Sequence, residues 1–411
     1  MSTQPLTTKT AFLFPGVSAQ SPGMFDVFKP YSQFLQSINE VSDVTCEPLQ
    51  EIIYGQQSER LREVKIAQLS LLAVTTGVAR VMQEECALLP DMVLGHSLGQ
   101  FPAMCIAGHL TLTQASQIIV KRADVLDECA KQVPDGEMCW VLHVPSKIVA
   151  REVQLAREDG LDIYISAIDS FDQASVSGSM AQIKAFAPRI EALGGLFFPL
   201  RIGGPFHCPL MQPAADELGA ALTSLLPADL PKPNAELVCN VTANQLQDLK
   251  SSLVQHLTSP VRWLDSMQYL TKRGVTHFIE VSPKNVLSYL VERANLPLVS
   301  HCTPDELAVF ITQRASQEQR DSQVKSFCLQ LLYGAPLPHI SEPIVVKKLQ
   351  SLRKEVRQLF DNKSEPLAWP FIYRHMSEWL ACLNTLDERW GVQMSRLNQF
   401  MAINKVSDAN A

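Results

Sequence analysis

The chain has 411 residues, 46% hydrophobic and 19% charged, enough for one large domain with an insertion or for two to three domains. Its 42 acidic against 35 basic residues give a formal charge of −7, which argues against a general nucleic-acid binder, because phosphate neutralisation needs clustered Lys and Arg. The ten cysteines form no CxxC pair and no zinc-type Cys/His spacing; Cys105, Cys139 and Cys328 sit in apolar surroundings and read as reduced core thiols of a cytoplasmic protein. Residues 1–10 lack the basic-then-apolar order of a signal peptide, and no apolar run approaches the ~20 residues of a spanning helix, so no membrane partner is expected.

Residues 10–14 are a short apolar run ended by Pro15 and Gly16, the pattern of a buried strand entering a tight loop. Residues 65–84 carry Ile66, Leu69, Ala73, Val74 and Val81 at helical spacing. The strand predicted at residues 92–94 runs straight into Gly95-His96-Ser97-Leu98-Gly99, and residues 101–107 can be helical, with Pro102 tolerated in the first turn. Strands at 139–144, 163–167, 175–178 and 196–202 alternate with helices at 147–158 and 180–193 in the order βαββαβ. Helix–strand alternation then resumes at 214–225, 236–241, 261–270 and 277–281. Beyond residue 298 the pattern is mostly helical, with apolar stripes at 344–360 and 371–400 that read as packing faces.

Gly95-His-Ser-Leu-Gly99 fits the G-x-S-x-G nucleophile elbow. Its glycines let the backbone turn sharply, lifting the Ser97 hydroxyl above the sheet while the Leu98 N–H can face a developing oxyanion. A five-residue match says little alone; its seat between an apolar strand and a helix gives it weight.

With Phe14-Pro-Gly16, Arg122, Gln173 with Val176-Ser-Gly178, Phe206-His207, Leu210-Met-Gln-Pro213, Asn240-Val-Thr-Ala243, Ser259-Pro-Val-Arg-Trp263 and Glu280-Val-Ser-Pro283 following in order, residues 11–290 closely resemble the malonyl-CoA:acyl carrier protein transacylases and the acyltransferases of polyketide synthases. The resemblance implies an α/β fold, with an α/β-hydrolase-like core over residues 1–132 and 205–298 and an inserted ferredoxin-like subdomain over 133–204; the apolar periodicity adds a mostly helical C-terminal extension over 299–411. It also implies a catalytic dyad of Ser97 and His207, the histidine being oriented by a backbone carbonyl, with an oxyanion hole from the N–H groups of Val17 and Leu98. Arg122 corresponds to the arginine that binds the carboxylate of the acyl group, a rigid fork suited to bidentate pairing. His96 is expected to point away from Ser97, and His109, His143 and His277 read as structural.

Three positions depart from the family pattern or bear on the acyl pocket. Val17 stands where the family has the glutamine whose N–H completes the oxyanion hole, Gln100 follows the elbow where Glu is usual, and His256 replaces a glutamine before Leu-Thr-Ser-Pro. Gln100, Phe206 and His256 are therefore the acyl-pocket candidates. Phe206 resembles the malonyl-type signature, its ring crowding an α-substituent.

The function implied is ping-pong transfer of a malonyl-type group from coenzyme A to the phosphopantetheine thiol of an acyl carrier protein, by a discrete, trans-acting enzyme of polyketide or mixed peptide-polyketide synthesis. An α-substituted malonyl unit such as aminomalonyl, a proofreading thioester hydrolase, and a non-catalytic scaffold are the alternatives; Arg122 speaks for transfer. No metal or organic cofactor is implied, and relatives suggest a monomer. The basic residues Lys347, Lys348, Arg353, Lys354, Arg357 and Lys363 read first as a solvated helix face and second as a docking surface for an acidic carrier protein.

Overall fold

The computed structural model describes residues 9–301 except 87, 134, 227–232 and 294–298, together with Ser351 and Lys354. The chain divides into two units, residues 1–311 and 312–411. The helices expected at 344–360 and 371–400, Cys328 and the basic docking stretch lie outside the described residues, apart from those two positions.

Strand β1 (Lys9–Phe14) is followed by helices α1 (Ser32–Thr45), α2 (Leu49–Tyr54) and α3 (Val64–Cys86). Strand β2 (Met92–Gly95) leads to α4 (Gln100–Ala107) and α5 (Leu112–Ala130). Next come β3 (Gly136–Leu142), α6 (Ser146–Glu158), β4 (Ile163–Ser170), β5 (Gln173–Ser179), α7 (Met180–Glu191) and β6 (Leu196–Pro199). Then follow α8 (Gln212–Leu225), β7 (Glu236–Cys239), β8 (Asn244–Gln245), α9 (Leu249–Thr258), α10 (Trp263–Lys272), β9 (Val275–Glu280), α11 (Val286–Arg293) and β10 (Val299–His301).

Local chemistry sets many of these boundaries. Thr111 caps α5 in a reciprocal box with Gln114, and Ser179 and Asp248 cap α7 and α9 through their side-chain oxygens. Gly108 ends α4 in the left-handed conformation, φ 81°. Strand β3 stops two residues before the expected end because His143 turns to φ 68°. Strand β6 likewise ends at Pro199, short of the expected residue 202.

The larger sheet has the order β10-β9-β1-β2-β7-β8, parallel except for the short β7–β8 hairpin. Ala11 to Phe14 are fully buried because helices cover both faces, as a parallel sheet requires. Helix α3 has the length and apolarity of a membrane span, but 83% of its most apolar window is buried inside the fold, where it packs against α1, α4 and α5.

The second sheet is antiparallel, order β4-β5-β3-β6, and its connections run β3-α6-β4-β5-α7-β6. Its own core includes Val141, Val149, Val176, Phe186 and Ile190. A two-bond backbone bridge, Ile168 N–H to Val261 O and Val261 N–H to Ser166 O, ties β4 to the segment leading into α10. A cleft opens between the carboxyl ends of the parallel strands and the open face of the antiparallel sheet, the place where parallel α/β sheets bind ligands.

Candidate active site

Ser97 sits two residues beyond the end of buried β2, in a single 3₁₀ turn that feeds α4. Its φ of 50° is left-handed, a strained conformation for a residue with a Cβ. The flanking glycines are steric necessities: a Cβ on Gly95 would lie 1.8 Å from the Gly99 carbonyl carbon, and one on Gly99 would lie 2.1 Å from the Phe14 oxygen. Buried Asn240, just past β7, holds the turn from below. Its Oδ1 accepts the Ser97 N–H at 2.9 Å and its Nδ2 donates to the Gly95 carbonyl at 2.7 Å.

His207 faces the serine, its Nε2 2.7 Å from Ser97 Oγ. Its Nδ1 lies 2.8 Å from the backbone carbonyl of His256. A carbonyl can only accept, so Nδ1 carries the proton and Nε2 presents a lone pair to the serine hydroxyl. The Ser177 hydroxyl donates to the Phe206 carbonyl at 2.7 Å and anchors the segment, in which His207 is itself left-handed at φ 57°. Burial, and then the positive charge of Arg122, lower the His207 pKa to about 3, so the ring is a neutral base at neutral pH.

Arg122 lies on α5, 5% exposed, with Nη1 donating to Gln68 Oε1 at 3.0 Å and Nε without a partner. Among the described residues no carboxylate pairs with it, and burial lowers its pKa to about 10. A buried guanidinium without a counter-ion is a ready receptor for an incoming carboxylate. Ser97, His207, Arg122, Val17, Leu98 and Phe206 line one cavity of about 580 Å³. The Val17 loop is braced from outside by Lys284, whose Nζ donates to the carbonyls of Ser18 and Gln20.

Residues 11–308 match the acyl transferase domain family. The chain belongs to that family. It is 29% identical over 320 residues to a malonyl CoA-acyl carrier protein transacylase of Bacillus subtilis, covering 77% of this chain and 99% of the relative. An acyl-carrier-protein S-malonyltransferase from Burkholderia pseudomallei superposes with a TM-score of 0.68 at 27% identity, over 74% of this chain and all of that one. A malonyl-transacylase solved in complex with a type II polyketide synthase acyl carrier protein gives 0.69 at 27% identity, again over 74% of this chain and all of that one.

Within this acyl transferase, two pocket expectations are corrected. Gln100 is buried away from the cavity, its amide donating to the backbone carbonyls of Gly95 and Val238, so the residue that replaces the family's Glu stitches β2 to β7. His256 also lies outside the cavity lining, behind His207, with ring centroids 4.9 Å apart and Nε2 unpartnered. Burial first, then His207 and Arg122, hold its pKa well below the usual histidine value. His96 makes no bond to Ser97, as expected, yet it faces the same cavity: its Nε2 meets Asp169 Oδ1 at 2.9 Å and its ring packs on Trp263.

Gln68 and Asp169 belong to none of the sequence motifs. Asn240 opened a family marker, but its bond to Ser97 spans 143 residues and leaves no local signal. The Glu280 marker also has a physical role: its buried carboxylate accepts the N–H groups of Val286, Leu287 and Ser288, fixing the start of α11 at the cavity rim.

Proposed function

We propose that this acyl transferase moves a malonyl-type acyl group from coenzyme A to the phosphopantetheine thiol of an acyl carrier protein, through an ester on Ser97. The observation that carries the reading is a Ser–His dyad at 2.7 Å opening into the same cavity as a buried arginine that has no carboxylate partner among the described residues. The Ser97 hydroxyl gives its proton to His207 Nε2 as Oγ attacks the thioester carbonyl. The N–H groups of Val17 and Leu98 stabilise the oxyanion; the C–S bond then breaks, and the departing thiolate takes the proton from Nε2. The carrier's thiol reverses these steps and removes the acyl group. Arg122 holds the free carboxylate throughout, so the enzyme discriminates against simple acyl thioesters.

The relatives named as malonyl transacylases support this donor and acceptor, as does Phe206 on the cavity wall. We read the parallel sheet as an α/β-hydrolase-like core over residues 1–132 and 205–298, carried on by β10 to residue 301, and the βαββαβ unit as a ferredoxin-like subdomain over 133–204. The pathway proposed is polyketide or mixed peptide-polyketide synthesis, served by a cytoplasmic monomer that needs no metal or organic cofactor. Intact-mass spectrometry tests the reaction. Brief incubation with malonyl-CoA should add one malonyl group at Ser97, and holo carrier protein should remove it to its own thiol. Release of malonate without carrier acylation would make the chain a hydrolase, and no adduct from any carboxyacyl thioester would refute the reading.

A further inference from the structure

The cavity is mostly apolar, but one corner is not. Asp169 on β4, Gln173 and Ser175 on β5, and His96 beside the nucleophile all face it there. Asp169 is 2% exposed; its Oδ1 meets His96 Nε2 at 2.9 Å and its Oδ2 accepts from Gln173 Nε2 at 3.3 Å. Each carboxylate oxygen can accept two hydrogen bonds, so both keep acceptor capacity within the cavity. Among the described residues no Lys or Arg pairs with Asp169.

Burying a carboxylate is unfavourable, and a neutral acceptor could orient the His96 ring as well. A negative wall would also repel the carboxylate of an incoming malonyl group. On the same cavity Arg122 presents the opposite deficit: it is 5% exposed and, among the described residues, has no counter-ion and an Nε without a partner. With Arg293, the other arginine on the lining, already paired to Asp172, one unpaired cation and one buried anion in a single pocket match a ligand that offers a carboxylate to the first and a hydrogen-bond donor to the second. Phe206 beside the dyad keeps the donor-bearing group small.

We propose that Asp169 selects a malonyl-type unit whose α-carbon carries a small hydrogen-bond donor, an ammonium or a hydroxyl, while Arg122 holds the acyl carboxylate. The inference rests on the transfer reaction proposed above and leaves its chemistry unchanged: the ester forms at Ser97 Oγ, the thioester C–S bond breaks, and the proton leaves with the thiol. Gln173 and His96 position the carboxylate.

The test uses the full chain and N-acetylcysteamine thioesters of malonate, methylmalonate, hydroxymalonate and aminomalonate, with the Ser97 adduct followed by intact mass. Methyl, hydroxyl and amino groups are nearly isosteric, so the methyl compound controls for size. The wild-type chain should load the amino or hydroxy compound about tenfold or more faster, in kcat/KM, than the methyl compound, the worth of a hydrogen bond to a charged partner. Asp169→Asn should bring that ratio down by about tenfold, whereas His96→Gln, which keeps a donor toward Asp169, should lower it less.

A wild-type ratio near one, with malonyl still loading, overturns the selectivity while the transfer reaction stands. That measurement needs no variant, so it decides even if Asp169→Asn fails to fold. An unchanged ratio in folded Asp169→Asn also overturns it. No adduct from any of the four thioesters would remove the transfer reaction and the selectivity together.

Discussion

Replacing Arg122 with methionine should make the protein more stable and much worse at its proposed task. Burial lowers the Arg122 pKa to about 10, which corresponds to a penalty on the charged form of about 3 kcal/mol. Methionine fills comparable space without charge, but it orphans Gln68 Oε1, the acceptor of the Arg122 Nη1 bond, a loss of about 1 kcal/mol. The net expectation is a gain of about 2 kcal/mol, seen as a Tm several degrees higher and a higher urea midpoint at unchanged slope. Losing a buried partner for the malonyl carboxylate removes roughly 3–5 kcal/mol of interaction, so kcat/KM for malonyl-CoA should fall at least about 100-fold. Acetyl-CoA, which has no carboxylate, should gain relative to malonyl by a similar factor. Parallel melting curves and competition between the two thioesters measure both arms. A less stable variant with an unaltered malonyl-to-acetyl ratio would show that Arg122 is a structural cation, and the reasoning from its missing counter-ion would be wrong.

Gly99→Ala places a Cβ 2.1 Å from the Phe14 carbonyl oxygen, in backbone that cannot yield without moving β1. The variant should lose roughly 3 kcal/mol or more and form no Ser97 adduct; a near-native urea midpoint would contradict the steric account of the elbow. Because His207 is held neutral down to about pH 3, kcat/KM for malonyl-CoA should be flat from about pH 5 to about pH 8, and an acid limb near the ordinary histidine pKa of about 6.5 would contradict the buried neutral base. His256 bears on stability. Its folded pKa is depressed, so below about pH 6.5 the unfolded chain takes up a proton that the folded chain refuses, and stability falls as pH falls. His256→Gln should remove up to about 1.4 kcal/mol of that loss per pH unit, measured as urea midpoints at about pH 7 and about pH 5; identical acid sensitivity in both proteins would exclude the effect.

Much of the core was readable because its signals are local. The apolar run at residues 10–14 and the strand at 92–94 appear as β1 and β2, and the helix expected at 65–84 is α3 with a residue or two added at each end. The βαββαβ order matches strands β3 to β6 and helices α6 and α7, while the bounds of strands and helices shift by one to three residues: β3 starts at 136 and stops where His143 turns left-handed, β4 runs on to 170, and α7 ends at 191. Helices α1, α2, α9 and α11 have no counterpart in the sequence pattern, although α9 carries His256.

At the site, the sequence by itself determined the sharp turn at Ser97, because G-x-S-x-G is written in neighbouring residues, and through its ordered family markers it pointed to Ser97, His207 and Arg122, which the structure brings to one cavity. It also determined that residues 92–107 would run strand, turn, helix, since alternation, glycine and proline act over a few positions. Only the tertiary structure decided where side chains face. Gln100, five residues past the end of β2, turns under the sheet instead of into the pocket, and His256 reaches the site through its carbonyl while its ring stays behind. Asp169 meets His96 across 73 residues, and Asn240 supports Ser97 across 143. Such contacts depend on strand order and on how two sheets close over a cleft, and a one-dimensional pattern has no term for that.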